Sequence, residues 1–290
     1  MPVASLDAIL KNDASVIVPG AFDALSARLA MQAGARAVYM TGFGVAGAAF
    51  GVPDIGLVSA AEMVERVRVL ASACAPMPLI ADGDNGHGGP LNAERLTKAY
   101  EAAGAACIQL EDQVLPKRCG HVDGKEVVPL AEAVAKIHAA ADARDSCAFK
   151  IMARTDARAT HGLDEALRRG EAFLKAGADI LFVEAPRDED ELRAVAAAFG
   201  GVPLVANLVE DGKTPLLAAK DLEALGYKII LHPISALLCV TRRLQDVYAA
   251  LISGDRSDID RERVSFGEYN QIVDLNGFLA RAKSYSRQEP

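Results

Sequence analysis

Residues 111–121 read Glu-Asp-Gln-Val-Leu-Pro-Lys-Arg-Cys-Gly-His and follow the apolar run 106–110. Two carboxylates thus emerge where a buried strand stops. A few residues later a thiol, Cys119, stands between Arg118 and His121, neighbours that favour its thiolate. Gly120 lets the backbone turn or approach a ligand closely. Further along the chain are Asp82-Gly83-Asp84, Ala153-Arg154-Thr155-Asp156 and Thr41-Gly42-Phe43-Gly44. Asp82, Asp84 and Glu111 offer oxygen donors, which suit Mg²⁺ or Mn²⁺ and not zinc. Arg154 presents a fork that pairs with a carboxylate, and the glycines at 42 and 44 expose backbone N–H groups to an anion. An acidic metal cluster, an arginine and a reactive thiol point to lyase chemistry on a 2-oxo or 2-hydroxy acid. Positive charge stabilises a developing enolate, and the thiol moves a proton.

The elements that must position these groups are short apolar runs at 16–18, 37–40, 78–81, 107–110, 149–153, 180–183, 203–206 and 228–231. Between them, 60–74, 93–102, 130–143, 164–176 and 189–199 carry Ala, Leu and Val at helical spacing. Strand–helix alternation predicts a parallel sheet. Eight repeats predict closure into a (β/α)8 TIM-type barrel spanning 1–290, with a doubly wound open sheet as the alternative. Polar residues follow every run, including Asp23, Thr41, Asp82, Glu111, Arg154, Glu184, Asn207 and His232. In a barrel these positions form one rim, where barrel active sites lie. Helix capping explains one or two of them, not the set.

After the eighth run, residues 236–290 read as a helical arm. One helix covers 236–252, a polar break covers 253–261, and a second helix covers 266–283 with an apolar side that needs covering. Cys107 and Cys239 sit in apolar runs and read as core residues. Cys74 and Cys147 have no catalytic neighbour. Gly83, Gly86, Gly88 and Gly89 lack the Lys-Ser/Thr ending of a phosphate loop.

The chain has 290 residues, 51% of them hydrophobic, enough for a sizeable core. Its net charge of −8, with no basic block, argues against nucleic acid or an anionic membrane as partner. No signal-peptide series and no long uncharged apolar run is present. Five cysteines without a C-x-x-C pair suit a reduced, cytoplasmic setting.

With Pro19-Gly20-Ala21-Phe22-Asp23, Asp82-Gly83-Asp84, Leu110-Glu111-Asp112-Gln113, Lys117-Arg118-Cys119-Gly120-His121, Ala153-Arg154-Thr155-Asp156 and Ala206-Asn207 in place, the chain resembles the isocitrate lyase/phosphoenolpyruvate mutase superfamily from residue 19 to about 248. The cysteine-bearing loop resembles the carbon–carbon lyase and hydrolase branch. The resemblance implies that Asp84 ligates Mg²⁺ directly, with Asp82 and Glu111 reaching it through water. It implies that Thr41, Gly42 and Phe43 bind the 2-oxo acid end, with Asp54 on a neighbouring loop. Arg154 grips substrate oxygens, and Cys119 is the acid/base on a gating loop. Gly120, His121, Glu184 and Asn207 hold the other carboxylate or shape its pocket, with His121 and Glu184 counted as catalytic. Lys117 and Arg118 set the field around the thiol. It also implies a homotetramer built from dimers, with the C-terminal helices exchanged.

Two departures bear on the substrate. Gln109 stands where isocitrate and methylisocitrate lyases carry histidine, and the stretch 237–239 after Pro233-Ile234-Ser235-Ala236 is apolar where methylisocitrate lyases carry an arginine. A third substrate carboxylate lacks a partner here, and an unpaired desolvated charge is costly. The expected function is therefore Mg²⁺-dependent cleavage of a C–C bond in a dicarboxylate, either a substituted malate of the dimethylmalate kind or oxaloacetate. The alternatives are 2-methylisocitrate cleavage to pyruvate and succinate, C–P bond chemistry on the same barrel, and a non-catalytic binding barrel.

Overall fold

The computed structural model describes residues 5–11, 14–118, 120 and 124–286. Two compact units divide at Leu237/Leu238.

In the first unit eight parallel strands follow one another: β1 Val16–Ala21, β2 Val38–Met40, β3 Leu79–Asp82, β4 Cys107–Glu111, β5 Lys150–Thr155, β6 Ile180–Val183, β7 Val205–Asn207 and β8 Ile229–His232. Their order is β6-β5-β4-β3-β2-β1-β8-β7. Leu181 meets Leu204 in a parallel bridge, and the Leu181 N–H donates to the Pro203 carbonyl at 3.0 Å. These contacts bring β6 to β7, so the (β/α)8 expectation holds and the open sheet falls away. The helices Ala60–Cys74 and Leu130–Ala143 coincide with their predicted spans. Among the described residues no helix is long and apolar enough to cross a membrane.

Two cores follow from the period of two in a strand. One parity packs outward against the helices through Val38, Leu79, Ala81, Ile108, Ile151 and Leu181. The other fills the barrel with Val16, Val18, Ile80, Cys107, Met152 and Ile180, and takes in Leu6 and Ile9 of the first helix.

Gly20 sits where β1 meets the segment after β8. A Cβ there would run into the backbone carbonyl of Pro233, which no rotamer change relieves. Gly20→Ala is expected to cost about 1–3 kcal/mol of stability by overpacking. It should appear as a lower urea midpoint at unchanged slope.

The second unit, 238–290, contains most of the helix Ser235–Ser253, then Ser257–Glu262, Phe266–Ile272 and Leu275–Tyr285. Three expectations are corrected here. The single helix over 266–283 is two, because Asp274 takes a left-handed conformation (φ 58°) and its carboxylate accepts the Gly277 N–H at 3.2 Å, starting a new helix. The polar stretch 253–261 is not simply a break, since a short helix begins at Ser257. Cys239 is exposed and not core, because its helix buries no side chain. Leu244, Tyr248, Leu251, Phe278 and Leu279 are likewise exposed.

Candidate active site

The inward rows that fill the barrel continue upward into chemistry. Above Ile80 comes Asp82, above Cys107 come Gln109 and then Glu111, and above Met152 comes Arg154. Above Ile180 come Phe182 and Glu184, and above Val205 comes Asn207. Strand parity alone aims six polar groups one way, and five of them, all but Gln109, meet at one point. They line a small cavity of about 50 Å³. Asp112 has the opposite parity. Its carboxylate accepts from Thr155 Oγ1 at 2.7 Å, the Asp156 N–H at 2.9 Å and Arg169 at 3.0 Å. It therefore ties β4 to β5 and the helix Leu163–Lys175, outside the cavity.

Arg154 is held from three sides. Its Nε and one terminal nitrogen donate to the two Asp156 oxygens at 3.0 Å each. Glu111 stands 3.4 Å and Glu184 3.3 Å from its remaining reach, and the guanidinium lies 5.2 Å above the Phe182 ring. Burial opposes its charge, but Asp156, Glu184 and Glu111 outweigh that and hold it protonated. Asn207 Nδ2 donates to Glu184 at 3.2 Å, while Asn207 Oδ1 is buried without a hydrogen bond.

On the opposite side Asp82 accepts from the Gly42 N–H at 3.2 Å, the Asp84 N–H at 3.0 Å and Gln109 Nε2 at 3.2 Å. Gln109 Oε1 in turn accepts from Tyr39 at 2.9 Å. Gln109 is therefore packed beneath the cavity as a bridge from Tyr39 to Asp82, while Tyr39 reaches the wall. The Lys117 ammonium contacts Asp54 and lies 2.7 Å from Asp84.

The Thr41–Gly44 turn differs from expectation. The Gly42 N–H is engaged by Asp82, and the Gly44 N–H by Thr41 Oγ1 at 3.2 Å, so these two amides are not free to receive an anion. Thr41 and Phe43 do line the cavity. Gly120 reaches it as well: a Cβ there would meet the Arg154 guanidinium and come within 2.7 Å of the Glu184 carboxyl carbon. Arg118 lines it too, its backbone clamped by Gln113, which accepts its N–H at 2.9 Å and donates to its carbonyl at 2.8 Å. Cys119 and His121 lie outside the described residues.

Two contributors were not assigned from sequence. Asp156 shares the parity of Arg154, which would have marked it. Lys125 carries no such signal. Its buried ammonium reaches the Gly120 carbonyl and, at 2.7 Å, Asp156.

Around the cavity five buried carboxylates (Asp82, Asp84, Glu111, Asp156, Glu184) face three buried cations (Lys117, Lys125, Arg154). Burial pushes the Glu111 carboxyl well up, against the pull of Arg154. Glu111 Oε1 accepts no hydrogen bond. Excess negative charge, an orphaned carboxylate oxygen and a purely oxygen donor set all fit a hard divalent cation. Among the described residues no three Asp, Glu, His or Cys side chains surround a single point. Such an ion would therefore be held by one or two carboxylates and water, as Mg²⁺ commonly is. A larger cavity of about 540 Å³ lies beyond Lys125, lined by residues such as Arg158, Thr160 and Arg187. Arg158 there is already paired with Glu191, and the acid cluster does not reach it.

The family model described as phosphoenolpyruvate phosphomutase matches residues 6–252. The chain is 45% identical to 2,3-dimethylmalate lyase of Eubacterium barkeri over 273 residues, 94% of each chain. It is similar in structure to oxaloacetate acetylhydrolase in complex with 3,3-difluorooxalacetate, with a TM-score of 0.93, 31% identity, and coverage of 98% of this chain and 97% of that one. It is also similar to phosphonopyruvate hydrolase in complex with oxalate and Mg²⁺, with a TM-score of 0.86, 32% identity, and coverage of 97% and 98%.

Proposed function

The chain belongs to the isocitrate lyase/phosphoenolpyruvate mutase superfamily, and on that premise we propose that it cleaves a C–C bond of a 2-hydroxy or 2-oxo dicarboxylate in the presence of Mg²⁺ or Mn²⁺. Substituted malates and oxaloacetate are the substrates in view. The observation that carries the reading is the make-up of the cavity. Acids and Arg154 occupy one part of it, and Phe182, Val209, Leu231, Pro233 and Ile234 form an apolar wall. Two carboxylates and an alkyl substituent match such a surface. A third carboxylate against that wall would be desolvated without a partner.

Asp84 would hold the ion, with Asp82 and Glu111 reaching it through water. When bound, the ion supplies Lewis-acid charge where negative charge develops at the substrate oxygens. Arg154, its Nε edge held by Asp156, would pair with a substrate carboxylate through its terminal nitrogens. In a malate derivative the C2 hydroxyl passes its proton to water and C2 becomes a carbonyl. The C2–C3 electron pair passes to C3, delocalised onto the neighbouring carboxylate, and C3 then takes a proton. We assign that last transfer to Cys119, whose neighbours Arg118 and Gly120 both line the cavity. Asn207, Gly120 and His121 would hold the second carboxylate, with Glu184 shaping its pocket, and Lys117 with Arg118 would supply the field that eases loss of the thiol proton.

A screen of 2-hydroxy and 2-oxo dicarboxylates with Mg²⁺, products identified by mass, tests the reading. The best malate derivative or oxaloacetate is expected to exceed 2-methylisocitrate and isocitrate in kcat/KM by about tenfold or more, the scale of a pocket mismatch. A tricarboxylate at parity, or phosphonopyruvate as the best substrate, would overturn it. The uncovered apolar side chains of the 238–290 unit support assembly through this arm, and we propose a homotetramer built from dimers with exchanged C-terminal helices.

A further inference from the structure

We infer that Lys125 is a positioning residue for this reaction: its buried ammonium ties the Gly120 carbonyl to Asp156 and so aligns the backbone at Gly120 with the Arg154 guanidinium. The inference rests on the dicarboxylate reading above and adds to it a residue that would touch no substrate.

The Lys125 side chain is only 2% exposed. An ammonium has three donors and no acceptor. Here it bonds to the Gly120 carbonyl and, at 2.7 Å, to Asp156 Oδ1. The same Asp156 oxygen also accepts from Arg154 at 3.0 Å. One carboxylate thus holds both the cation proposed to grip substrate and the cation bonded to the Gly120 carbonyl. Asp156 is fully buried, and its own N–H is held at 2.9 Å by Asp112, so its place is set by β4 and β5 and not by the loop. Burial favours the neutral carboxyl, but Arg154 and Lys125 outweigh it and keep Asp156 ionised. Without Lys125, that charge would fall to Arg154 alone. The guanidinium would be drawn toward Asp156, and Gly120 would lose its tether.

A purely structural role is less consistent with the contacts around it. The hairpin that carries the loop closes through other groups: the Gln113–Val127 bridge, the Val114 N–H to the Glu126 carbonyl and the Val128 N–H to the Asp112 carbonyl, both at 2.9 Å. None uses the Lys125 side chain. Lys125 also borders the 540 Å³ cavity, so an uncharged chain of similar length has room there.

The test compares wild type, Lys125→Met, Lys125→Arg, Asp156→Asn and the Lys125→Met/Asp156→Asn pair. The readouts are turnover of the best dicarboxylate from the screen and binding of oxalate with Mg²⁺ by calorimetry. Lys125→Met should melt near wild type yet lose about a hundredfold in kcat, the scale of an ångström of misplacement, and bind oxalate about tenfold more weakly. Lys125→Arg should recover about tenfold of the lost kcat. The double variant should be no worse than Asp156→Asn alone, because both changes break one unit. Near-normal kcat and oxalate affinity in Lys125→Met, or losses that multiply in the double variant, would overturn the inference. If Lys125→Met does not fold, Lys125→Gln carries the same comparison. A wild type that neither cleaves dicarboxylates nor binds oxalate would instead sink the dicarboxylate reading itself.

Discussion

Asp84→Asn is expected to lower turnover by about three orders of magnitude or more while the protein folds normally. The size follows from losing the charge that would hold the ion, on the scale of removing a main electrostatic stabiliser of the transition state. Asparagine is the right substitution because Asp84 has a φ of 49°. Asn tolerates that left-handed conformation about as well as Asp, so backbone strain does not confuse the result. A second readout separates the metal role from a general defect. Wild type should melt higher as Mg²⁺ is added, because a ligand that binds the folded state stabilises it. The variant should lose that rise. Full activity of the variant, or of wild type in excess chelator, would refute the assignment.

Cys119→Ser should cut turnover by about two to four orders of magnitude, the usual range for a lost general acid/base. Serine matches the thiol closely in size but is far too weak an acid to trade protons with carbon near neutral pH. Oxalate and Mg²⁺ should bind as in wild type, because neither needs the sulfur. A serine variant with near-normal turnover would remove Cys119 from the mechanism and shift attention to His121 or Glu184. A variant that has also lost oxalate binding would mean that the residue shapes the pocket and does not serve the proton transfer alone.

The barrel was legible because each strand announces itself as an apolar run between amphipathic helices, and because polar groups gather after every run. Asp82, Glu111, Arg154, Glu184 and Asn207 were legible for the same reason: parity carries the inward row of each strand up to the rim. The arm was read less well. Asp274 breaks a pattern that looks continuously helical, and Cys239 looks buried only while its helix is assumed to have a cover. The Gly42 amide looked available to an anion because nothing local says that Asp82 will take it.

Local chemistry therefore determined the repeat, the oxygen-donor cluster, the forked cation and the thiol between two bases, since each depends on residue type and short spacing. Pairing was decided only in three dimensions. Arg154 answers to Glu111 on β4 and to Glu184 just after β6, Lys117 bridges Asp54 to Asp84, and Gln109 lies under the cavity and not in its wall. Lys125 shows this most sharply. In the chain it is one lysine in a polar loop, and it acquires a role because closure of the barrel buries it beside Asp156, 31 residues away. A buried charge must find a partner, but which partner it finds depends on the fold and not on local spacing.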